Sequence, residues 1–157
     1  MYPVITIADE ILKIAKRDGK SLTPLQLMKL TYIAHGWSLG LGRGDLFRER
    51  IEAWKYGPVI PDLYRATKSY GRGEIPAGLV NEQVSSVDEN TRDFLEWVYA
   101  GYGHLNGIQL SSLTHKSGTP WDQVYRDGVM KIEINDDLIR DHYRKLAHER
   151  KYVTAPS

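Results

Sequence analysis

Apolar residues along this chain recur mostly at helical spacing, and the densest recurrence lies between Thr23 and Ser38, TPLQLMKLTYIAHGWS. At about 100° per residue, Leu27, Leu30, Ile33, Ala34 and Trp37 share one broad face. Leu25, Met28 and Tyr32 share a second, nearly opposite one. A helix that is apolar on two sides is buried between neighbours rather than laid on a surface. The segment therefore predicts a central helix around which the other elements pack. Its start is marked by Thr23 as N-cap, Pro24 at the first helical position and Gln26 three residues after the cap.

The same reading extends outward. Ala8 to Asp18 predicts a first helix, with Thr6 and Asp9 as its capping box, Gly19 as its terminator and Ala8, Ile11, Leu12 and Ala15 as its apolar stripe. Its other side carries Lys13, Lys16, Arg17 and Lys20, which read as a solvated face. Ile51 to Tyr56 alternates like a short strand, and Gly57-Pro58 is expected to stop it. Pro61 opens a helix with Leu63, Tyr64 and Thr67 near one face, ending at Gly71. Gly73 to Gln83 lacks a period and reads as a surface loop. Ser86 and Glu89 look like the box of a helix that buries Phe94, Leu95, Val98 and Tyr99. Ile108 to Thr114 predicts a short helix, and Thr119-Pro120 starts another, stopped by Gly128. Lys131 to Ile134 reads as a brief extended piece. Asn135 caps a last helix whose inward residues are Leu138, Ile139, Tyr143 and Leu146. The expected fold is mainly α: a compact single-domain bundle of about six helices around a buried central helix, with one or two short extended segments. The domain is expected to span residues 1–153, with 154–157 as a frayed tail.

Composition changes this picture little. The chain has 157 residues, 41% hydrophobic and 26% charged, which suits one globular domain. No apolar run approaches the roughly 18 residues of a membrane helix. The absence of cysteine removes disulfides and thiolate metal sites together. A net charge of +1 argues against a dedicated nucleic-acid binder. A cytoplasmic protein is expected.

The search for chemistry returns little. The five histidines, His35, His104, His115, His142 and His148, are dispersed without a zinc-binding spacing, so no metal site and no cofactor are expected. Gly40, Gly42 and Gly44 follow a helix instead of a strand, which suits a turn better than a phosphate loop. Ser111, Ser112, Thr114 and His115 lie close together but without a nucleophile elbow, and as a helix end they would satisfy orphan carbonyls. The carboxylate pairs Asp88/Glu89 and Asp136/Asp137 each fall at a helix N-terminus, where the helix dipole accounts for them. No catalytic residue is therefore assigned. The aromatic usage is skewed, however: ten Tyr and four Trp against two Phe. Trp54-Lys55-Tyr56-Gly57-Pro58 is its densest cluster, suited either to a small core or to an interface.

Several stretches resemble a known family. LQLMKLTYIAHGWSL is similar to the LQKLLYFAHGW helix of the Panacea domain, found in SocA-like antitoxins and GepA-like phage-associated proteins. IEAWKYGPVIPDLYRATKSYG resembles its second signature, LSSLTHKSGTPWDQVY its third, and DLIRDHYRKL its closing helix. One departure is Thr31, which stands where an aliphatic residue is expected; a helical threonine can return its hydroxyl to the backbone. The resemblance implies an antitoxin that neutralises a cognate toxin, encoded by an adjacent gene, through direct protein–protein contact. It carries over Leu30, Ala34, His35, Gly36, Trp37, Trp54, Tyr56, Gly57, Pro58, Leu113, Thr114, His115, Pro120 and Trp121 as signature residues. Leu30, Ala34, Trp37, Gly57 and Pro58 are expected to be structural. Trp54, Lys55, Tyr56, His115 and Trp121 are the expected partner-binding residues.

Three other roles are compatible with the same family. The protein could be an adaptor that presents the toxin to a protease, an enzyme that reverses a toxin's modification through His115, or a DNA-binding autoregulator acting through the basic stripe of the first helix. Each makes a different prediction: toxin degradation, loss of rescue on replacing His115, and loss of DNA binding on replacing Lys13, Lys16, Arg17 and Lys20.

Overall fold

The structure is a computed structural model, and it describes residues 1–76 and 86–150. Among these residues it is mainly helical, with seven α-helices, one 3-10 turn and a small sheet. In chain order they are α1 (Val4–Arg17), α2 (Pro24–Gly40), β1 (Glu52–Trp54), β2 (Gly57–Val59), α3 (Pro61–Thr67), the 3-10 turn Lys68–Tyr70, α4 (Glu89–Tyr102), α5 (Gly107–His115), α6 (Pro120–Val124), β3 (Ile132–Glu133) and α7 (Asp136–Arg150). No helix among the described residues is long and apolar enough to cross a membrane.

Helix α2 is the centre. It contacts α1, α3, α4, α5, α7 and β2, and every residue from Leu27 to Gly40 is buried. Its N-terminus forms the expected capping box, with Thr23 Oγ1 accepting from Gln26 N and Gln26 Oε1 accepting from Thr23 N. Leu30, Ala34 and Trp37 lie in the core. Thr31 Oγ1 donates to Leu27 O at 2.7 Å, the backbone return that makes it acceptable in place of an aliphatic residue. Leu25 departs from expectation. It lies in the first turn of α2 and is 40% exposed.

The last helix reaches α2 through two glycines. A Cβ on Gly36 would sit 2.3 Å from the Tyr143 ring, and one on Gly40 would sit 2.7 Å from the Tyr143 carbonyl carbon. This close approach places the Tyr143 ring edge-on to Trp37, with centroids 5.3 Å apart. Trp37 Nε1 in turn donates to the Tyr102 hydroxyl at 2.9 Å.

Other boundaries shift for local reasons. Helix α1 begins at Val4 instead of Ala8, with Pro3 before it and no side-chain cap. Thr6 and Asp9 are thus buried inside the helix and form no capping box. Asp88, not Ser86, caps α4: its carboxylate accepts from Thr91 N at 2.7 Å. Helix α6 ends at Val124, four residues before Gly128. The basic stripe of α1 is solvated: Lys13 pairs with Asp9, Arg17 with Glu96 and Lys20 with Asp18. Of the loop read from Gly73 to Gln83, residues 77–83 lie outside the described residues, as does the tail 154–157. Ile75 is buried, its N–H donating to Leu22 O at 2.8 Å.

The sheet holds one strand more than the two extended segments read from the sequence. Gly57-Pro58 does not end the chain's extended run but begins β2, after a two-residue turn at Lys55-Tyr56. The strand order is β2-β1-β3, all antiparallel, with Trp54 opposite Gly57, Ala53 opposite Pro58 and Ile132. Gly57 has φ +121°, open to glycine and strained for other residues.

Candidate functional site

The five residues expected to bind a partner converge on the β1–β2 hairpin and the α5–α6 corner beside it. Trp121 is brought there by α6, whose N-cap Thr119 accepts from Asp122 N and whose first residue is Pro120. Trp121 Nε1 donates to Trp54 O at 2.5 Å. Its ring lies edge-on to His115, with centroids 5.4 Å apart, and stacks on Tyr125 at 4.6 Å. Ser111 Oγ, one turn before His115 on α5, donates to Tyr56 O at 2.9 Å.

The hairpin is also held by α2. Lys29 is 1% exposed, and its Nζ donates to Pro58 O at 2.8 Å. Ile60 N donates to Met28 Sδ at 3.3 Å. Gly57 lets the strand approach this closely, since a Cβ there would lie 2.9 Å from Lys29 Nζ. Burial pulls the pKa of Lys29 down to about 7, because an ammonium in a poorly solvated site is disfavoured relative to the neutral amine. Its position between the two apolar faces of α2 gave no sequence signal of such a role. A single Lys in a helix ordinarily reads as solvent-facing.

Between hairpin and helix lies a groove of about 370 Å³. Leu25, Met28, Trp54, Tyr56, Val59 and Tyr64 give it apolar walls, Lys55 and Lys68 supply its positive groups, and buried Lys29 also lines it. Tyr56 is 70% exposed at its edge, with Lys55 Nζ 5.6 Å from the centre of its ring. Tyr64 stands edge-on to Trp54 with centroids 4.9 Å apart. It was expected to face inward with Leu63, but it turns outward and becomes part of the groove. Of the five expected residues, Trp54, Lys55 and Tyr56 line this groove. His115 and Trp121 do not; Trp121 holds the hairpin through Trp54 O, and His115 lies against Gly57 and Trp121. Glu52 steadies the strand, accepting from Trp54 Nε1 at 3.0 Å and from Arg50 Nε at 2.9 Å.

Nucleophilic catalysis finds no support in this geometry. The Ser111 hydroxyl gives its hydrogen to Tyr56 O, while His115 Nδ1 stands 3.4 Å from Ser111 Oγ. Among the described residues no carboxylate pairs with the His115 ring to orient it as a base.

His35, in the C-terminal half of α2, is 1% exposed and stacked on Phe47, with ring centroids 4.3 Å apart. Its Nε2 lies 3.0 Å from Asp136 Oδ1 and 3.9 Å from Asp45 Oδ1. The grouping escaped sequence reading because its members are far apart in the chain and belong to three different elements.

Comparison with known proteins agrees with the motifs. The family described as "Antitoxin SocA-like, Panacea domain" matches residues 27–122, which include α2, the hairpin, α5 and the start of α6. Antitoxin SocA of Caulobacter vibrioides is 31% identical to this chain over 78% of the chain and 72% of its own length. No solved structure matches. The match covers more than half of the sequence and includes the residues that build the hairpin face, so the chain belongs to the SocA-like, Panacea-domain antitoxin family.

Proposed function

We propose that this protein is an antitoxin that neutralises a protein toxin, encoded by an adjacent gene, by binding it directly through the hairpin face. The observation that carries the reading is the groove beside Lys29. It presents half-buried Trp54 with exposed Tyr56 and Tyr64 on a backbone anchored by α2 and α5, and Lys55 and Lys68 give its rim a positive charge. Large, rigid aromatic side chains around a preformed pocket supply binding energy at low entropic cost. Family membership supports the antitoxin role, and the name of the Caulobacter relative agrees with it. The proposed action is masking and requires no catalysis by this chain.

The test is co-expression with the neighbouring open reading frame, followed by a growth assay and size-exclusion chromatography. Rescue of a toxic neighbour with a stoichiometric complex, burying about 1,200–2,000 Å², is the expected result. Rescue with loss of the toxin from the cell would transfer the reading to a proteolytic adaptor. Failure of Tyr56→Asp and Tyr64→Asp to weaken the complex would remove the hairpin face from it.

A further inference from the structure

The cluster around His35 has a composition and geometry that the antitoxin reading does not use. His35 comes from α2, Asp45 from the loop that follows it, and Asp136 from the first turn of α7. One donor atom from each lies within 4.8 Å of the other two. The imidazole is rigidly placed: it is 1% exposed, stacked on Phe47, and directs Nε2 into the cluster. Its other nitrogen, Nδ1, is buried without a hydrogen-bond partner among the described residues, so the ring's hydrogen bonding to them is all on the carboxylate side. Two carboxylates whose oxygens lie within 4.8 Å of each other repel unless a proton or a cation stands between them.

We propose that His35, Asp45 and Asp136 form a binding site for a divalent first-row transition-metal ion. Around an ion with ligand bonds of about 2.0–2.2 Å, neighbouring donor atoms lie roughly 3.0–3.5 Å apart. The 3.0 and 3.9 Å separations at His35 are near that spacing before any ion draws the carboxylates in. One imidazole nitrogen with two carboxylate oxygens is a borderline-to-hard donor set, suited to Zn²⁺, Mn²⁺ or Fe²⁺ and poorly suited to soft Cu⁺. The carboxylate side chains are 41% and 49% exposed, which leaves an entry path and room for water to complete the coordination shell. The bound ion ties α7 and the α2–β1 loop to the central helix.

The experiment uses the full chain, freed of metal with a chelator and dialysed against Zn²⁺, Mn²⁺ or Co²⁺, the last as a spectroscopic probe. The expected result is one ion retained per chain, a visible Co²⁺ absorption band and a raised melting temperature. Asp45→Asn and Asp136→Asn alter partly exposed side chains and are expected to fold, as circular dichroism would verify. Each should weaken binding at least ~10-fold, the loss seen even when an outer partner of a metal ligand is removed. Asp137→Asn, whose carboxylate pairs with Arg140, should leave binding unchanged. Retention of no ion would overturn the proposal and assign the carboxylate contact to a shared proton. Retention unaffected by both Asn variants would overturn it equally, placing the ion elsewhere.

Discussion

Lys29 and His35 lie fewer than two helical turns apart on α2, and each is 1% exposed, yet their surroundings differ in kind. At the Lys29 end the partner is a neutral backbone carbonyl, Pro58 O, and no carboxylate among the described residues pairs with the ammonium. At the His35 end the partners are two carboxylates, Asp45 and Asp136. A dipole compensates a buried charge only partly, so the lysine responds to burial by losing affinity for its proton. The contrast shows that a central helix can bury basic groups in two ways. One fixes a strand through its carbonyl. The other gathers acids from distant parts of the chain.

The largest expected effect tests the lysine end. An unfolded lysine binds its proton below pH 10.5, whereas the folded one does so only below about 7. Between those values the unfolded state holds more protons, so stability rises with pH, by up to ~5 kcal/mol over the whole window. Buried Tyr32, Tyr99 and Tyr143 act in the opposite sense above pH 10. Burial raises their pKa values, so the unfolded chain ionises first and stability falls again. Lys29→Met should flatten the rise between pH 7 and 10, as urea unfolding at successive pH values would show. An unchanged slope would mean that the ammonium is compensated in the folded state.

Gly40→Ala tests the histidine end alone. Its methyl group would meet the Tyr143 backbone, so α7, which carries Asp136, must move. Destabilisation of about 1–3 kcal/mol is expected, with the hairpin face and its partner binding retained. Loss of both ends together would show that α2 transmits the disturbance.

Trp121→Phe has a smaller effect. It keeps a ring beside His115 and Tyr125 but removes the donor to Trp54 O, at a cost of about 1 kcal/mol. Faster hydrogen exchange in β1 and β2 should accompany it. Smallest in stability is Tyr56→Ala. Because the ring is 70% exposed, unfolding should change by no more than ~0.5 kcal/mol. Toxin affinity should nevertheless fall at least ~10-fold if the ring is a binding anchor. Calorimetry on the purified complex would separate the two quantities.

Much of this architecture was legible from local chemistry. Thr23-Pro24 and Thr119-Pro120 marked true helix starts because a hydroxyl cap followed by proline satisfies the first turn without outside help. The buried side of α4 followed directly from Phe94, Leu95, Val98 and Tyr99. The failures were tertiary. Thr6 and Asp9 have capping chemistry, but apolar packing begins at Val4 and draws the helix past them. Gly57-Pro58 looked like a stop because a proline lacks a strand donor, yet Pro58 contributes to the hairpin by accepting from Lys29. Trp54, Lys55 and Tyr56 were identified as one cluster from their adjacency in sequence. Their groove partners Tyr64 and Lys68 come from α3 and the 3-10 turn after it, and nothing in the chain's periodicity links them to the cluster.

The hairpin's anchorage has a consequence for how such a protein can change over time. Lys29, Ser111 and Trp121 hold it through the carbonyls of Pro58, Tyr56 and Trp54, groups that every amino acid possesses. The identity of the side chain at the tip is therefore largely uncoupled from the bonds that fix its backbone. Replacements at Lys55 and Tyr56 alter what the groove's edge presents while the loop keeps its shape. A lineage can thus explore new recognition chemistry at these positions by single steps, each starting from an already folded scaffold.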